Sequence, residues 1–359
     1  MRRSYLHAMV FRILSLSGGG YKGLYTAEFL AGLEEQSGDV PLHRRFDLIA
    51  GTSIGGILAL AVASGRTSMR TVSDAMRDRG AEIFGSKAKP SSRLGSLVDI
   101  TRHLRKARYR TAPLRQLVDE LVGEEVYVGD LRQRTIVPAV NLTKGSPQVF
   151  KTPHHDTFMR DWKLPVVDVA LATSAAPTFF PLHTIGRERF ADGGLYANSP
   201  DLLAVHEATH FLDKELAEIE VLSVGTTTSR FSFSGRLNSD MGIGDWMTDQ
   251  RLFSAMIAAQ QMDADFQMRH RLGNRYVRID SFPSPSQLPD MQLDNASESA
   301  KEVLLGLAHA SIQDYLPQLR SSGLFDHDAG EIDFFHRQEI ADYFSRVRSD
   351  DGRSRQAIS

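Results

Sequence analysis

Cysteine is absent from all 359 residues, which excludes disulfides and thiolate-bound metal. Long apolar runs are missing too. Nothing approaches the roughly 18 consecutive residues that a membrane span requires, and Ile54–Ala63 reads better as a buried helix. Charge of one sign is also lacking. With 42 basic and 44 acidic side chains the net charge is −2, which argues against a general binder of DNA or RNA. The N-terminus, Met1-Arg2-Arg3-Ser4-Tyr5-Leu6-His7, is basic but has neither an adequate apolar segment nor a cleavage site behind it. The chain therefore reads as a soluble cytosolic protein, in which the Asn-x-Ser/Thr matches at Asn141 and Asn295 mean nothing as glycosylation sites.

What is present is a chain long enough to bury a large core, as one elaborated domain or one domain plus a cap. Strand patterns fall at 10–16, 46–51, 134–142, 182–191, 219–225 and 274–280. Helical patterns fall at 22–36, 53–64, 68–84, 113–122, 165–175, 200–213, 245–269, 295–318 and 331–347. Their alternation predicts an α/β fold, and no repeat is evident. Asn295 and Glu298 have the spacing of a capping box that would open a helix at 295. Three irregular segments, 85–111, 226–244 and 281–293, have the length of lids or binding loops. The charged, polar tail 348–359 is expected to be disordered.

The chemistry concentrates at Gly51-Thr52-Ser53-Ile54-Gly55. The strand Phe46–Ala50 runs into this G-x-S-x-G turn, and the turn runs into a helix. Alone the five letters recur by chance as an ordinary tight turn. In this context they form a nucleophile elbow, a strained turn that projects the Ser53 hydroxyl. Gly51 and Gly55 are needed because side chains there would collide. The following helix aims its N-terminal N–H groups at the place where negative charge develops.

A second glycine cluster, Ser17-Gly18-Gly19-Gly20-Tyr21-Lys22-Gly23, follows the strand at 11–16. Its G-x-G-x-x-G spacing invites a dinucleotide-binding reading. That reading lacks its acid: Asp39 precedes the second strand and Asp47 stands at its start. A P-loop would need Ser or Thr after Lys22. The remaining reading is an oxyanion hole, with the N–H groups of Gly19, Gly20 and Ile54 as donors and Lys22 adding positive charge nearby.

A serine nucleophile needs a base. Asp192, in Phe190-Ala191-Asp192-Gly193-Gly194-Leu195, follows a short strand at a glycine-permitted turn, so its carboxylate can face a cleft. Alone it would be an ordinary turn aspartate. An ordinary serine hydrolase uses histidine. However, Ser53 comes too early for an α/β-hydrolase, and His206, His210, His270, His309, His327 and His336 lack a supporting motif.

The ordered motifs G-G-G-x-K-G, G-x-S-x-G and D-G-G, with Ala172-Thr173-Ser174-Ala175-Ala176-Pro177-Thr178-Phe179-Phe180, strongly resemble the patatin-like phospholipase family over roughly residues 10 to 225. The resemblance implies a three-layer α/β/α sandwich with a nucleophile elbow plus helical and loop elaborations. The catalytic core would span 10–225, with 226–347 continuing the same domain as lid or regulatory segments. It also implies hydrolysis of lipid acyl esters by a Ser–Asp dyad, with no cofactor and no metal. Ser53 is then the nucleophile, Asp192 the base and Gly18, Gly19 and Gly20 the oxyanion loop, supported by Lys22, Gly23, Gly51, Gly55, Gly193 and Gly194. An aspartate at its ordinary pKa of about 3.9 is a weak base, so an apolar cleft that raises it should matter.

Three further blocks, Val137–Leu142, Phe150–His154 and Leu293–Ser297, resemble the bacterial phospholipase effectors of anti-phage signalling that are activated by cyclic GMP–AMP. This narrower resemblance implies a phospholipase held inactive until a cyclic dinucleotide, 3′,3′-cyclic GMP–AMP, binds. It would then attack phospholipids at the inner face of the cell membrane, with assembly into a homo-oligomer a possible accompaniment. Such a ligand needs cations and planar groups. Arg102–Arg110 with Tyr109, Arg230 and Arg236 are candidates. The same basic stretch also reads as a solvated helix face or a contact for anionic headgroups. A constitutive esterase or acyltransferase, and a scaffold without catalysis, are the competing functions. Intact Ser53, Asp192 and the glycine loop argue against the scaffold.

Overall fold

β1 (Phe11–Leu16) is buried along its whole length, the mark of a strand covered on both faces. Its side chains alternate between two cores. Leu14 and Leu16 join one core, and Phe11 and Ile13 join another. Helices lie over both faces, so the molecule is an α/β/α sandwich. The computed structural model of the chain describes residues 10–85, 106–227, 240–242, 246, 251–334, 340, 342–343 and 345–346.

β1 leads into α1 (Gly23–Glu35), and β2 (Leu48–Gly51) leads into α2 (Ile54–Ser64) and α3 (Met69–Phe84). α4 (Thr111–Val122) precedes the long β3 (Arg134–Asn141) and its hairpin partner β4 (Ser146–Lys151). α5 (Val166–Thr173) is followed by a second hairpin, β5 (His183–Ile185) and β6 (Glu188–Asp192). α6 (Asp201–Phe211), β7 (Ile219–Val224), α7 (Arg251–Leu272), β8 (Tyr276–Ile279) and α8 (Glu298–Ser321) follow, with short 3-10 turns between elements. β1 pairs in parallel with β2 and β7, β2 with β3, and β7 with β8. The sheet turns antiparallel where β3 meets β4 and β6.

One expected strand, 182–191, is two, because Gly186 at φ 60 reverses the chain between β5 and β6. β4 carries no strand signal, since Ser146, Pro147 and Gln148 are poor strand formers, yet it pairs with β3 from Ser146 to Lys151. The capping box expected at Asn295 is also corrected. The helix begins at Glu298, and its cap is Ser297, whose hydroxyl accepts the Ala300 N–H at 3.3 Å. Asn295 instead accepts the Ser297 N–H. Of the helix expected at 331–347, too little is described to follow. The tail 348–359 lies outside the described residues.

The elbow has no room for a side chain at Gly55. A Cβ there would stand 2.4 Å from the Leu16 carbonyl oxygen and 2.6 Å from that of Ser17. Gly306, in the middle of α8, faces open space. Gly306→Ala is therefore expected to stabilise the fold by about 0.5–1 kcal/mol through helix propensity. Gly55→Ala is expected to cost about 3 kcal/mol, because backbone must shift. Thermal melts of the two variants check both signs.

Candidate active site

Ser53 links β2 to α2 at φ 57, ψ −126, a strained conformation for a residue with a Cβ. Neighbouring groups hold it there. Its N–H donates to Thr173 Oγ1 at 3.0 Å, and the Thr173 hydroxyl donates to the Pro138 carbonyl at 2.6 Å. Its carbonyl accepts the N–H groups of Gly56 and Ile57 in the first turn of α2.

Asp192 ends β6. Its Oδ2 accepts the Ser53 hydroxyl at 2.7 Å, and its Oδ1 accepts the Gly194 N–H at 2.7 Å. The carboxyl is only 2 % exposed. Burial pushes its pKa up to about 7, against the downward pull of the Ser53 and Gly194 hydrogen bonds. Gly193 passes so near the Pro138 carbonyl that a Cβ would stand 2.3 Å from its oxygen.

Gly19, Gly20 and Ile54 border the same cavity as Ser53 and Asp192. Gly20 takes φ 58, and the Leu293 carbonyl leaves no space for a side chain on it. Gly18 is held differently from its neighbours. Its N–H donates to the Asn198 carbonyl at 2.9 Å, so that amide is engaged and not free for an oxyanion. Its carbonyl accepts Asn198 Nδ2 and Thr226 Oγ1, each at 3.1 Å.

Lys22 departs from expectation. Its ammonium is buried and donates to the Thr227 carbonyl at 3.3 Å, and Lys22 does not line the cavity. Burial lowers its pKa to about 8, opposed by the charge of Asp280. It braces the glycine loop against the end of β7 and adds no charge at the cavity wall. Gly23 lies against Ile54, and Gly51 against Gly55, where a Cβ at either would collide.

A cavity lies over Ser53 and Asp192. Its wall is apolar apart from Ser53, Ser174, Asp192 and Asn198, and is built largely from Ile57, Phe84, Phe179, Phe180, Phe253 and Ile257. Phe84, Phe180 and Tyr109 pack edge-on or tilted against one another, with centroids 5.8–6.1 Å apart. Among the described residues no histidine lines the cavity. His206 and His210 stack on each other, His309 contacts Glu28, His327 contacts Asp47, and His270 contacts the Phe266 carbonyl. His336 lies outside the described residues.

The basic stretch is divided. Arg102–Arg105 lie outside the described residues, as do Arg230 and Arg236. Of the described end, Lys106 and Arg110 are exposed, while Arg108 and Tyr109 are built into the fold. Arg108 Nη1 meets Asp294 Oδ2 at 2.7 Å, and the Tyr109 hydroxyl donates to the same oxygen at 2.9 Å. Their backbone N–H groups donate to the carbonyls of Thr178 and Phe179. Tyr109 is thus an internal brace beside the cavity.

Sequence reasoning missed three positioning residues. Thr173 was visible within a recognised block, but its role was not. Asn198 follows the D-G-G turn by four residues, just before a helix-opening Pro200, and reads as a helix-start residue. Gln260 gave no signal. From α7 its Nε2 donates to the carbonyls of Gly194 and Leu195 at 3.2 Å, and its Oε1 accepts the Asn198 N–H at 3.1 Å.

Residues 14–205 match the family model described as patatin-like phospholipase. The chain is 39% identical over 328 residues to a cGAMP-activated phospholipase of Pseudomonas aeruginosa, covering 91% of this chain and 95% of that one. It is 40% identical over 313 residues to a cGAMP-activated phospholipase of Vibrio cholerae, covering 80% and 86%. A third protein of that description, from Escherichia coli, is 35% identical over 314 residues, covering 82% and 86%. With the elbow, the glycine loop and the Asp192 turn converging on one apolar cavity, the chain belongs to the patatin-like phospholipase family.

Proposed function

We propose that this chain hydrolyses acyl esters of membrane phospholipids through an acyl-enzyme on Ser53, with Asp192 as the base. The observation that carries the reading is the 2.7 Å contact between Ser53 Oγ and a carboxylate buried in an apolar cavity. As Oγ attacks the ester carbonyl carbon, its proton passes to Asp192 Oδ2, and the carbonyl oxygen becomes an oxyanion. The N–H groups of Gly19, Gly20 and Ile54 receive that charge at the N-terminus of α2. Collapse expels the lysolipid alkoxide, which takes the proton from Asp192. Water then attacks the acyl-enzyme with Asp192 again as base, releasing the fatty acid and restoring Ser53.

A base with a pKa near 7 is far better matched to this transfer than an ordinary aspartate. Burial among apolar, aromatic side chains raises that pKa, and the same side chains suit an acyl chain.

The chain is switched on by a cyclic dinucleotide, 3′,3′-cyclic GMP–AMP, and acts in anti-phage defence at the inner face of the cell membrane. Support for the switch comes from three relatives, 35–40% identical over most of their length, that carry cGAMP activation in their names. Among the described residues no helix is long and apolar enough to cross a membrane, so substrate would be met at a lipid surface.

Fatty-acid release from anionic liposomes tests both parts. Wild type is expected to release fatty acid only with 3′,3′-cyclic GMP–AMP. Ser53→Ala and Asp192→Asn are expected to lose activity by about 10³-fold or more. Equal release with and without the dinucleotide would leave a constitutive esterase. Release by Asp192→Asn would remove the aspartate from its role.

The pH dependence has a defined sign. Asp192 must be unprotonated to act, so the log of kcat/KM should rise with pH up to about 7 and level off above it. Stability runs the other way. Between pH 3.8 and about 7 the folded chain holds a proton on Asp192 that the unfolded chain releases, so stability falls as pH rises through that window. Asp192→Asn lacks this penalty. It should melt above wild type at pH 8, with the gap shrinking as pH falls and closing near pH 4.

A further inference from the structure

α7 carries apolar side chains on both sides, with the exposed Asp263 among those of the outer side, and among the described residues only its inner side packs against the fold. Its inner face packs Ala258, Ala264, Met268 and Leu272 against the fold. Its outer face exposes Leu252, Met256, Met262 and Phe266 by 45, 36, 58 and 62 %. At about 100° per residue these four positions fall within an arc of about 120°. Scattered exposed hydrophobic residues are ordinary, but these are not scattered. Among the described residues only eight large hydrophobic side chains are exposed, and half of them form this one stripe.

The stripe is continuous with the active-site cavity. Phe253 and Ile257, next to Leu252 and Met256 on the same helix, line that cavity beside Ser53. Gln260, one turn on, grips the carbonyls of Gly194 and Leu195 behind Asp192. The helix is therefore fixed to the catalytic turn by its inner side, and its outer side lies at a set distance from the cavity. The last turn carries Arg269, which also meets Asp265 at 2.9 Å, and Arg271, cations that suit anionic headgroups at the edge of an apolar contact.

We propose that the exposed face of α7 docks on an anionic lipid bilayer, with Leu252, Met256, Met262 and Phe266 inserted at the headgroup–acyl boundary. This rests on the phospholipase reading above, and it identifies where the substrate surface meets the protein. A helix lying in the interface buries such a face about 5–10 Å deep. An acyl chain would then leave the bilayer along apolar surface from Leu252 and Met256 to Phe253 and Ile257, without crossing water.

The test is flotation with vesicles of phosphatidylglycerol and phosphatidylethanolamine, in the presence of 3′,3′-cyclic GMP–AMP. A Ser53→Ala background keeps the vesicles intact. Adding Met262→Asp and Phe266→Asp should lower the vesicle-bound fraction about tenfold or more. Leu142→Asp, an exposed leucine at the end of β3, should leave it unchanged. With Ser53 restored, the double variant should lose phospholipid hydrolysis but keep that of the water-soluble ester p-nitrophenyl butyrate. Unchanged flotation of the double variant overturns the proposal, as does an equal loss with Leu142→Asp. A smaller particle by light scattering with flotation retained also overturns it, because a second copy would then cover the face. If wild type cleaves neither substrate while the flotation difference persists, the phospholipase reading fails and the docking face stands.

Discussion

β3 has two edges and three neighbours, and the active site depends on how they share it. β4 occupies one edge from Ile136 to Asn141, opposite β2 at Ile136 and opposite β6 at Ala139 to Asn141. β2 and β6 must therefore follow one another along the other edge. β2 can leave room only by turning out of the sheet after Gly51, which the elbow at Ser53 does. β6 then enters antiparallel and ends at Asp192, opposite Ala139. The end of one strand and the end of the other face each other across a gap that β3 sets. The 2.7 Å contact between Ser53 and Asp192 follows from backbone pairing, and the side chains need little freedom to make it.

Burial is what turns this geometry into chemistry, and it works against stability. A carboxyl that is 2 % exposed with only two hydrogen-bond donors is poorly compensated as an anion. The same desolvation raises its pKa to about 7, which suits the role of base proposed for it. Ser53 adds strained backbone, costing about 1–3 kcal/mol by analogy with other such residues. Both costs are held in place by packing on every side: Thr173 on the Ser53 amide, α2 on its carbonyl, Gln260 behind the Asp192 turn.

The parts legible in the sequence were those whose chemistry is local. G-x-S-x-G shows its glycines because the turn itself excludes side chains, and Phe11–Leu16 shows its strand because both faces are buried. The parts that were not legible depend on partners remote in sequence. Nothing near Lys22 announces that its ammonium will meet the Thr227 carbonyl, 205 residues on. β4 has weak strand residues and exists because β3 offers it an edge. Asn295 has the right spacing for a cap, but Ser297 stands closer to the first helical turn and takes that role. Arg108 and Tyr109 read as free cation and free ring until Asp294 is brought beside them.

Residues 14–205 carry every atom of the proposed reaction, yet residues beyond them help to hold those atoms in position. Gly20 is seated by the Leu293 carbonyl, which also accepts the Tyr21 N–H at 2.8 Å. The Gly18 carbonyl is held by Thr226, Lys22 by Thr227, and the Asp192 turn by Gln260. Leu293 is followed directly by Asp294, the anchor for Arg108 and Tyr109, so the glycine loop and the 106–110 segment are tied through adjacent residues. An oxyanion donor misplaced by about 1 Å loses much of its effect on the barrier. A ligand that binds differently to two arrangements of the C-terminal third would thus change the rate without touching Ser53 or Asp192. The residues that complete the site come from the part of the chain that lies beyond the matched segment.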